Sequence, residues 1–369
     1  MHNEIAPYRL PIFEEVSRVV DLTVLFCKGI SRARLWAPTV EGVSYEHRSL
    51  RGLDLRLLVL NIGVWRELRR ARPDVYVLVE NHENVTTLLL TALHARLRGR
   101  PVVIWSEQVL RTAEVSRLFA AAFPRFTYPL LELVTRGYRQ ILYRQARAFV
   151  SMSGAASDIF LTRAGVHPSK IFPGRQILPI DQLAAPGEMP EQLSDIGPYI
   201  LFLGYLRPEK GASELIEAFR QADTGEMTLL IAGSGPMEAE LWELAGDTSK
   251  IRFAGYADTS LKATLMANAC ALVVPSIYEA WGLVVNEALY YGTPILFRAG
   301  VPTGQLVKDG GGISYNGEEL VRCLSEFCHD ARMRNRLRRE VADIPRDLLV
   351  NAKQGADPVV AAVAAALKP

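Results

Sequence analysis

The run Ala271, Leu272, Val273, Val274 is wholly apolar and stops at Pro275 and Ser276, which favour a turn. It predicts a strand buried on both faces, as the strands of parallel sheets are. A helix is predicted to begin near Gly282. Its first-turn amides, on Trp281, Gly282 and Leu283, have no intrahelical acceptor, and Gly282 lets a group approach with no Cβ in the way. A bare helix tip at the C-terminal end of a buried strand is an anion site. Two carboxylates flank it, Glu279 before the helix and Glu287 inside it, eight positions apart. That is about two turns, so they do not touch. A carboxylate accepts hydrogen bonds from vicinal hydroxyls, and a ligand with phosphate in the middle and a sugar at each end fits this pattern. A nucleotide diphosphate sugar has that shape. The competing reading is ordinary: strand, loop and helix make up every unit of an open α/β sheet, and a helical Glu usually faces water.

The length of 369 residues fits two domains, and 49% hydrophobic content supports packed interiors. A net charge of +2 gives no reason to expect nucleic acid as a partner. Four scattered cysteines, Cys27, Cys270, Cys323 and Cys328, read as reduced core residues, without zinc-site spacing. The polar start MHNEIAPYR and the lack of a long uncharged apolar run predict a cytoplasmic protein with no spanning helix.

Strand and helix alternate through the first half. Strands are expected over 20–27, 42–47, 75–79, 101–105 and 148–152, and helices over 10–19, 57–70 and 86–98. Alternation of this kind gives a parallel doubly wound sheet with functional loops at the strand C-termini. The loops Glu80–Asn84 and Ser106–Gln108 fall there. Residues 111–147 interleave Arg111, Arg117, Arg125, Arg136, Arg139, Arg144 and Arg147 with Phe119, Phe123, Phe126, Tyr128 and Tyr143. A basic face beside an aromatic one suits peripheral contact with the inner face of a membrane. Arginines opposite a core stripe are the plainer explanation.

Residues 177–198, rich in Pro and small side chains, read as a linker between an N-terminal domain, 1–176, and a second domain, 199–345, with 346–369 as a closing segment. The second domain opens with the strand 199–203 and a loop carrying Gly204, Arg207, Lys210 and Gly211 into a helix over 213–220. Two cations beside a helix N-terminus suit a diphosphate. The strand 228–232 ends in Gly233-Ser-Gly235, and a short strand at 251–253 ends near Tyr256.

In PSIYEAWGLVVNEALYYGTPIL the pattern Glu279, seven residues, Glu287 resembles the retaining family 4 glycosyltransferases of the GT-B fold. Gly204, Arg207, Lys210 and Gly211, and the Gly233–Gly235 turn, are similar to that family's donor loops. The resemblance implies two Rossmann-like doubly wound domains facing across a cleft, the closing segment packing back on the first, and a donor bound by the second. It implies transfer of a hexosyl group, with retention of configuration, from a nucleotide diphosphate sugar to a saccharide, lipid-linked or other glycan acceptor. Arg207, Lys210 and Glu279 take the catalytic roles. Gly204, Gly211, Gly233, Gly235, Tyr256, Trp281, Gly282, Leu283 and Glu287 bind the donor. The chain departs from the family at its start, where Asn3 to Arg9 stand in place of a glycine pair. Asn3 and Tyr8 are candidates there, as is Glu107, which stands roughly where the family has a His. No Asp-x-Asp occurs, and two cations occupy the place of a metal, so no cofactor and metal independence are expected. The alternative is a non-catalytic partner or regulatory subunit on the same fold. A phosphorylase lacks an assignable pyridoxal lysine, and a dehydrogenase lacks a G-x-G-x-x-G after the first strand.

Overall fold

The structure, a computed structural model, describes residues 1–3, 5–28, 42–54, 58–121, 127–180 and 183–368. The chain divides into two compact units. One comprises Met1–Leu110, Phe119–Pro179 and Ala352–Pro369, and the other Arg111–Leu118 and Ile180–Asn351.

In the first unit, β1 (Thr23–Phe26) pairs in parallel with β2 (Glu46–Ser49), while β3 (Leu53–Asp54) and β4 (Val59–Leu60) form a separate antiparallel pair. A parallel sheet continues through β5 (Tyr76–Val79), β6 (Val102–Ser106), β7 (Ala146–Ser151) and β8 (Ile171–Pro173). The first residues of the chain join the two pieces. The His2 amide donates to Leu25 and its carbonyl accepts from Cys27, while the Met1 carbonyl accepts from Val79. Residues 1–3 thus act as the short first strand that stands where a glycine-bearing one was expected. Counting this strand, the order places the chain's start centrally, with later strands growing to either side.

Side chains alternate across this sheet with the period of two that a strand imposes. Ile104 and Phe149 face α2 (Val64–Ala71), α3 (Val85–Leu97), α5 (Thr127–Gln145) and α6 (Ala155–Arg163) through Leu68, Leu88, Leu142 and Leu161. Val103 and Val150 face the other way, onto Ile12 and Phe13 of α1 (Leu10–Ser17). The helix expected over 57–70 is shorter. Gly63 lies at its entrance, and Val59–Leu60 are drawn into the small ladder, while Leu57 lies outside the described residues. The strand expected over 42–47 lies at β2.

The segment 111–147 is not one amphipathic surface. Part of α4 (Ala113–Ala121) belongs with the second unit, where the Arg111 guanidinium lies over the Tyr278 ring. Tyr128 and Tyr138 of α5 are buried, because the aromatic face is core. The exposed face carries Leu130, Leu133, Val134 and Ile141 instead. Arg125, Phe123 and Phe126 lie outside the described residues.

The second unit is a six-stranded sheet, parallel throughout, in the order β11-β10-β9-β12-β13-β14. Its strands are β9 (Tyr199–Leu203), β10 (Thr228–Ala232), β11 (Ile251–Gly255), β12 (Ala271–Val274), β13 (Ile295–Arg298) and β14 (Gly312–Tyr315). Helices α7 (Ala212–Gln221), α8 (Glu238–Ala245) and α11 (Leu320–His329) cover one face through Leu215, Phe219, Leu241 and Phe327. On the other, α9 (Thr259–Asn268) and α10 (Leu283–Tyr290) pack through Leu265, Val285 and Leu289. Cys27 and Cys328 are buried, and burial pushes both thiols up to about 12, as inert core residues should be.

After α12 (Ala331–Ala342) and α13 (Asp347–Val350), the last helix α14 (Ala352–Leu367) returns to the first unit. Ala356, Val359 and Ala362 pack beside Ile12, and the Arg147 guanidinium donates to the Ala366 carbonyl. Gly355 sits where α14 crosses α1, and a Cβ there would stand 2.7 Å from Ile12 Cδ1. Gly355→Val should therefore lower the urea unfolding free energy by about 1–3 kcal/mol through overpacking. An unchanged midpoint would show that this crossing is not formed.

Candidate active site

In the second unit the strand order reverses between β9 and β12. Helix α7 leaves β9 for one face and α10 leaves β12 for the other, so the two loops diverge and leave a crevice at the strand C-termini. The residues singled out in the sequence converge here. The loop after β9 is held to the loop after β12 by the Ile277 amide, which donates to the Glu209 carbonyl at 3.0 Å. Gly211, with φ 74°, is pressed against the β12 loop, where a Cβ would meet the Pro275 carbonyl oxygen at 2.4 Å.

Across this seam Lys210 Nζ donates to Glu279 Oε2 at 2.5 Å, both side chains being largely buried. Gly282 is the N-cap of α10 with φ 93°, a backbone that L side chains avoid. A Cβ on it would stand 3.2 Å from both Glu279 Cγ and Thr303 Oγ1. Glycine is needed here to keep carboxylate, hydroxyl and helix tip together. The Thr303 hydroxyl is buried and has no partner among the described residues. The second carboxylate, Glu287, pairs with Lys262 of α9. Each glutamate thus holds its own lysine.

Other candidates separate. Trp281 is 4% exposed and its indole donates to Asn286 Oδ1 at 2.9 Å, so the side chain is core, and the residue precedes the N-cap of α10. Leu283 opens α10 and is half-buried. Arg207 is exposed, its guanidinium over the Tyr205 ring and 3.9 Å from Glu209. Tyr256 stands exposed at the end of β11. Gly233 and Gly235 prove to be packing glycines: a Cβ would lie 1.9 Å from the Gly204 carbonyl oxygen in one case and 2.5 Å from that of Leu206 in the other. Gly204 differs, since a Cβ there meets only the Phe202 ring at 3.8 Å, an ordinary contact.

The first unit has the same kind of reversal, between residues 1–3 and β5. Asn3 accepts a hydrogen bond from Asn84 across it. Glu107 stands nearby, at the end of β6, and one of its oxygens, Oε1, receives Arg9, the Trp105 indole at 3.1 Å and Gln176 Nε2 at 2.7 Å. Three donors on one oxygen fix the carboxylate. Arg9 is buried, and the Glu107 charge and Tyr8 outweigh that burial and raise its pKa. Tyr8 lies under its guanidinium at 5.3 Å. Three buried polar atoms here, Arg9 Nε, Asn84 Oδ1 and Gln176 Oε1, lack partners among the described residues. Beside them Glu80 is sealed in by Arg139, Ser106 Oγ at 3.0 Å and the Tyr143 hydroxyl at 2.8 Å. Lys262, Thr303, Arg9 and Gln176 are functional candidates that the sequence reading missed, since each lies in a plain helical or loop context. Only the position of Arg9 at the start of α1 gave a signal.

Residues 190–343 match the model of the family described as glycosyl transferases group 1. The chain is 29% identical over 268 residues to 2-deoxystreptamine glucosyltransferase of Streptomyces kanamyceticus, a match covering 66% of this chain and 64% of that protein. It is 23% identical over 301 residues to alpha-D-kanosaminyltransferase of the same organism, covering 77% and 76%. In three dimensions it is similar to Anabaena HepE, solved with UDP and glucose, with a TM-score of 0.69 at 14% identity over 98% of both chains. The fold is that of the GT-B glycosyltransferases, two parallel α/β units with their ligand loops at strand C-termini. The second unit carries the match to the glycosyl transferases group 1, over residues 190–343.

The glycines differ in how closely backbone packs on them. Gly233→Ala should cost about 3 kcal/mol or more in urea denaturation, because backbone must move. Gly204→Ala should cost less than about 1 kcal/mol. Equal costs would mean that the two loops are not packed as described.

Proposed function

We propose that the chain is a retaining, metal-independent hexosyltransferase that uses a nucleotide diphosphate sugar and glycosylates a hydroxyl of a saccharide, lipid-linked or other glycan acceptor. The observation that carries the reading is the Lys210–Glu279 pair at the tip of α10, set at the strand reversal of the second unit. The names of the two Streptomyces relatives and the UDP and glucose in the HepE complex support it.

The diphosphate lies against the first-turn amides of α10, and Lys210 turns from Glu279 to the phosphate, joined by the exposed Arg207. These cations neutralise the charge that grows on the leaving diphosphate as the anomeric C–O bond breaks. Glu279, freed of its lysine, accepts hydrogen bonds from donor-sugar hydroxyls. Glu287 accepts from the ribose hydroxyls. The acceptor oxygen bonds to the anomeric carbon on the face the phosphate leaves, and its proton passes to the departing phosphate oxygen. Atoms and charge balance without a metal or a protein base. In the first unit Glu107, with Oε1 tied down, presents Oε2 to the acceptor. Arg9 Nε and Gln176 Oε1 supply one donor and one acceptor for further hydroxyls. The enzyme works in the cytoplasm, peripheral at the inner face of a membrane. Among the described residues no helix is long and apolar enough to cross a membrane.

Lys210→Ala should lower kcat by about a hundredfold or more, with the circular dichroism spectrum unchanged. Full turnover would remove the phosphate assignment. Slow release of nucleotide from the donor in the absence of acceptor separates an enzyme from an inert partner subunit on the same fold, which would release none.

A further inference from the structure

Between α5 and α6 of the first unit lies an open cavity of about 880 Å³ with no place in the chemistry described above. Five cations line it: Arg136, Arg139 and Arg144 from α5, Arg163 from α6, and Lys170 just beyond. Arg139 is neutralised by Glu80, and Arg136 has Glu132 at 3.7 Å. Among the described residues Arg144, Arg163 and Lys170 have no ion-pair partner. The walls are apolar where they meet the core, at Phe149 and Phe160. Like charges converging on one cavity repel each other, and an anion relieves that repulsion.

The outer rim says which anion. Leu133 and Ile141 lie eight residues apart on α5, along a row one step around the helix from Arg136, Gln140 and Arg144. They are 68% and 55% exposed, and Ile159, four residues before Arg163 on α6, is 50% exposed. Leu130 and Val134 extend the same outward stripe. A soluble anion has no use for a hydrophobic rim, whereas a bilayer surface meets both halves of this pattern. Its phosphates reach the arginines and its acyl region receives the leucines.

We propose that the α5–α6 groove is a headgroup site for anionic phospholipid, with Leu130, Leu133, Ile141 and Ile159 entering the acyl boundary around it. The inference rests on the peripheral placement proposed for the enzyme and gives it a specific surface.

The test is co-sedimentation of the full chain with vesicles of phosphatidylcholine alone and of phosphatidylcholine mixed with phosphatidylglycerol. The protein should bind the mixed vesicles and not the neutral ones, with binding falling as salt is raised. Arg144→Glu with Arg163→Glu should weaken it by about tenfold or more, and Leu133→Ser with Ile141→Ser should weaken it at unchanged charge. All four side chains are exposed, so the variants should melt as the parent does. Nucleotide release from the donor sugar should be unaltered in both. Anionic-vesicle binding that survives the charge reversal would overturn the groove while leaving peripheral placement intact. Failure of the parent chain to bind would overturn both without touching glycosyl transfer. Binding of soluble glycerol phosphate to the groove without any vesicle binding would also overturn the proposal.

Discussion

The candidate chemistry depends on one topological fact, that neighbouring parallel strands β9 and β12 send their helices to opposite faces of the sheet. Here the following loops part, and the helix tips of α7 and α10 are left facing a gap. The gap is lined by backbone amides without intrahelical acceptors, so it attracts negative charge before any side chain is considered. Lys210 adds a cation. Glu279 then prevents that cation from collapsing into solvent or repelling its surroundings while the site is empty. A lysine and a glutamate in contact, both largely buried, are each other's substitute for the ligand groups they would meet.

Such an arrangement has an energetic consequence. Desolvating a charge is costly unless it is paired, so an empty pocket built from bare cations would be destabilising. Pairing Lys210 with Glu279, and Lys262 with Glu287, leaves both charges compensated at rest. In the reaction proposed above, a diphosphate sugar would offer phosphate to Lys210 and hydroxyls to Glu279, each partner exchanging one good contact for another. In that proposal the Thr303 hydroxyl, close to Gly282 and without a partner among the described residues, would support the carboxylate once its lysine has turned away.

Much of this was legible in the sequence, for physical reasons that also mark its limits. The strand 271–274 and the helix beginning near Gly282 were readable because a buried parallel strand is a pure apolar run and a positive φ calls for glycine. Gly204, Lys210 and Glu279 could be placed in one site because strand ends are where loops converge. What could not be read was which glycine is packed against backbone and which is not. Gly233 and Gly204 look alike in the sequence, and only the distance to a neighbouring carbonyl separates them. Lys262 was invisible because a lysine on a helix is ordinary until a glutamate from another helix lies against it. The shortened first strand and the Arg9–Glu107 network rest on contacts between residues far apart in the chain, which periodicity does not encode.

The two units solve the same geometric problem with opposite chemistry. In both, the strand order reverses once, and the loops at the reversal carry buried polar groups. In the second unit the helix tip is joined by a lysine, and the site selects for negative charge. In the first, Asn3 and Asn84 meet at the reversal, and an arginine, an indole and an amide beside them are all spent on one oxygen of Glu107, so the positive groups are internally satisfied. What remains to offer is a fixed carboxylate oxygen, a lone Arg9 N–H and two amide oxygens. Those groups, three acceptors and one donor with no net positive charge among them, match neutral hydroxyls rather than phosphates. This difference in polarity is what the proposed transfer from an activated sugar to an alcohol would require of the two units.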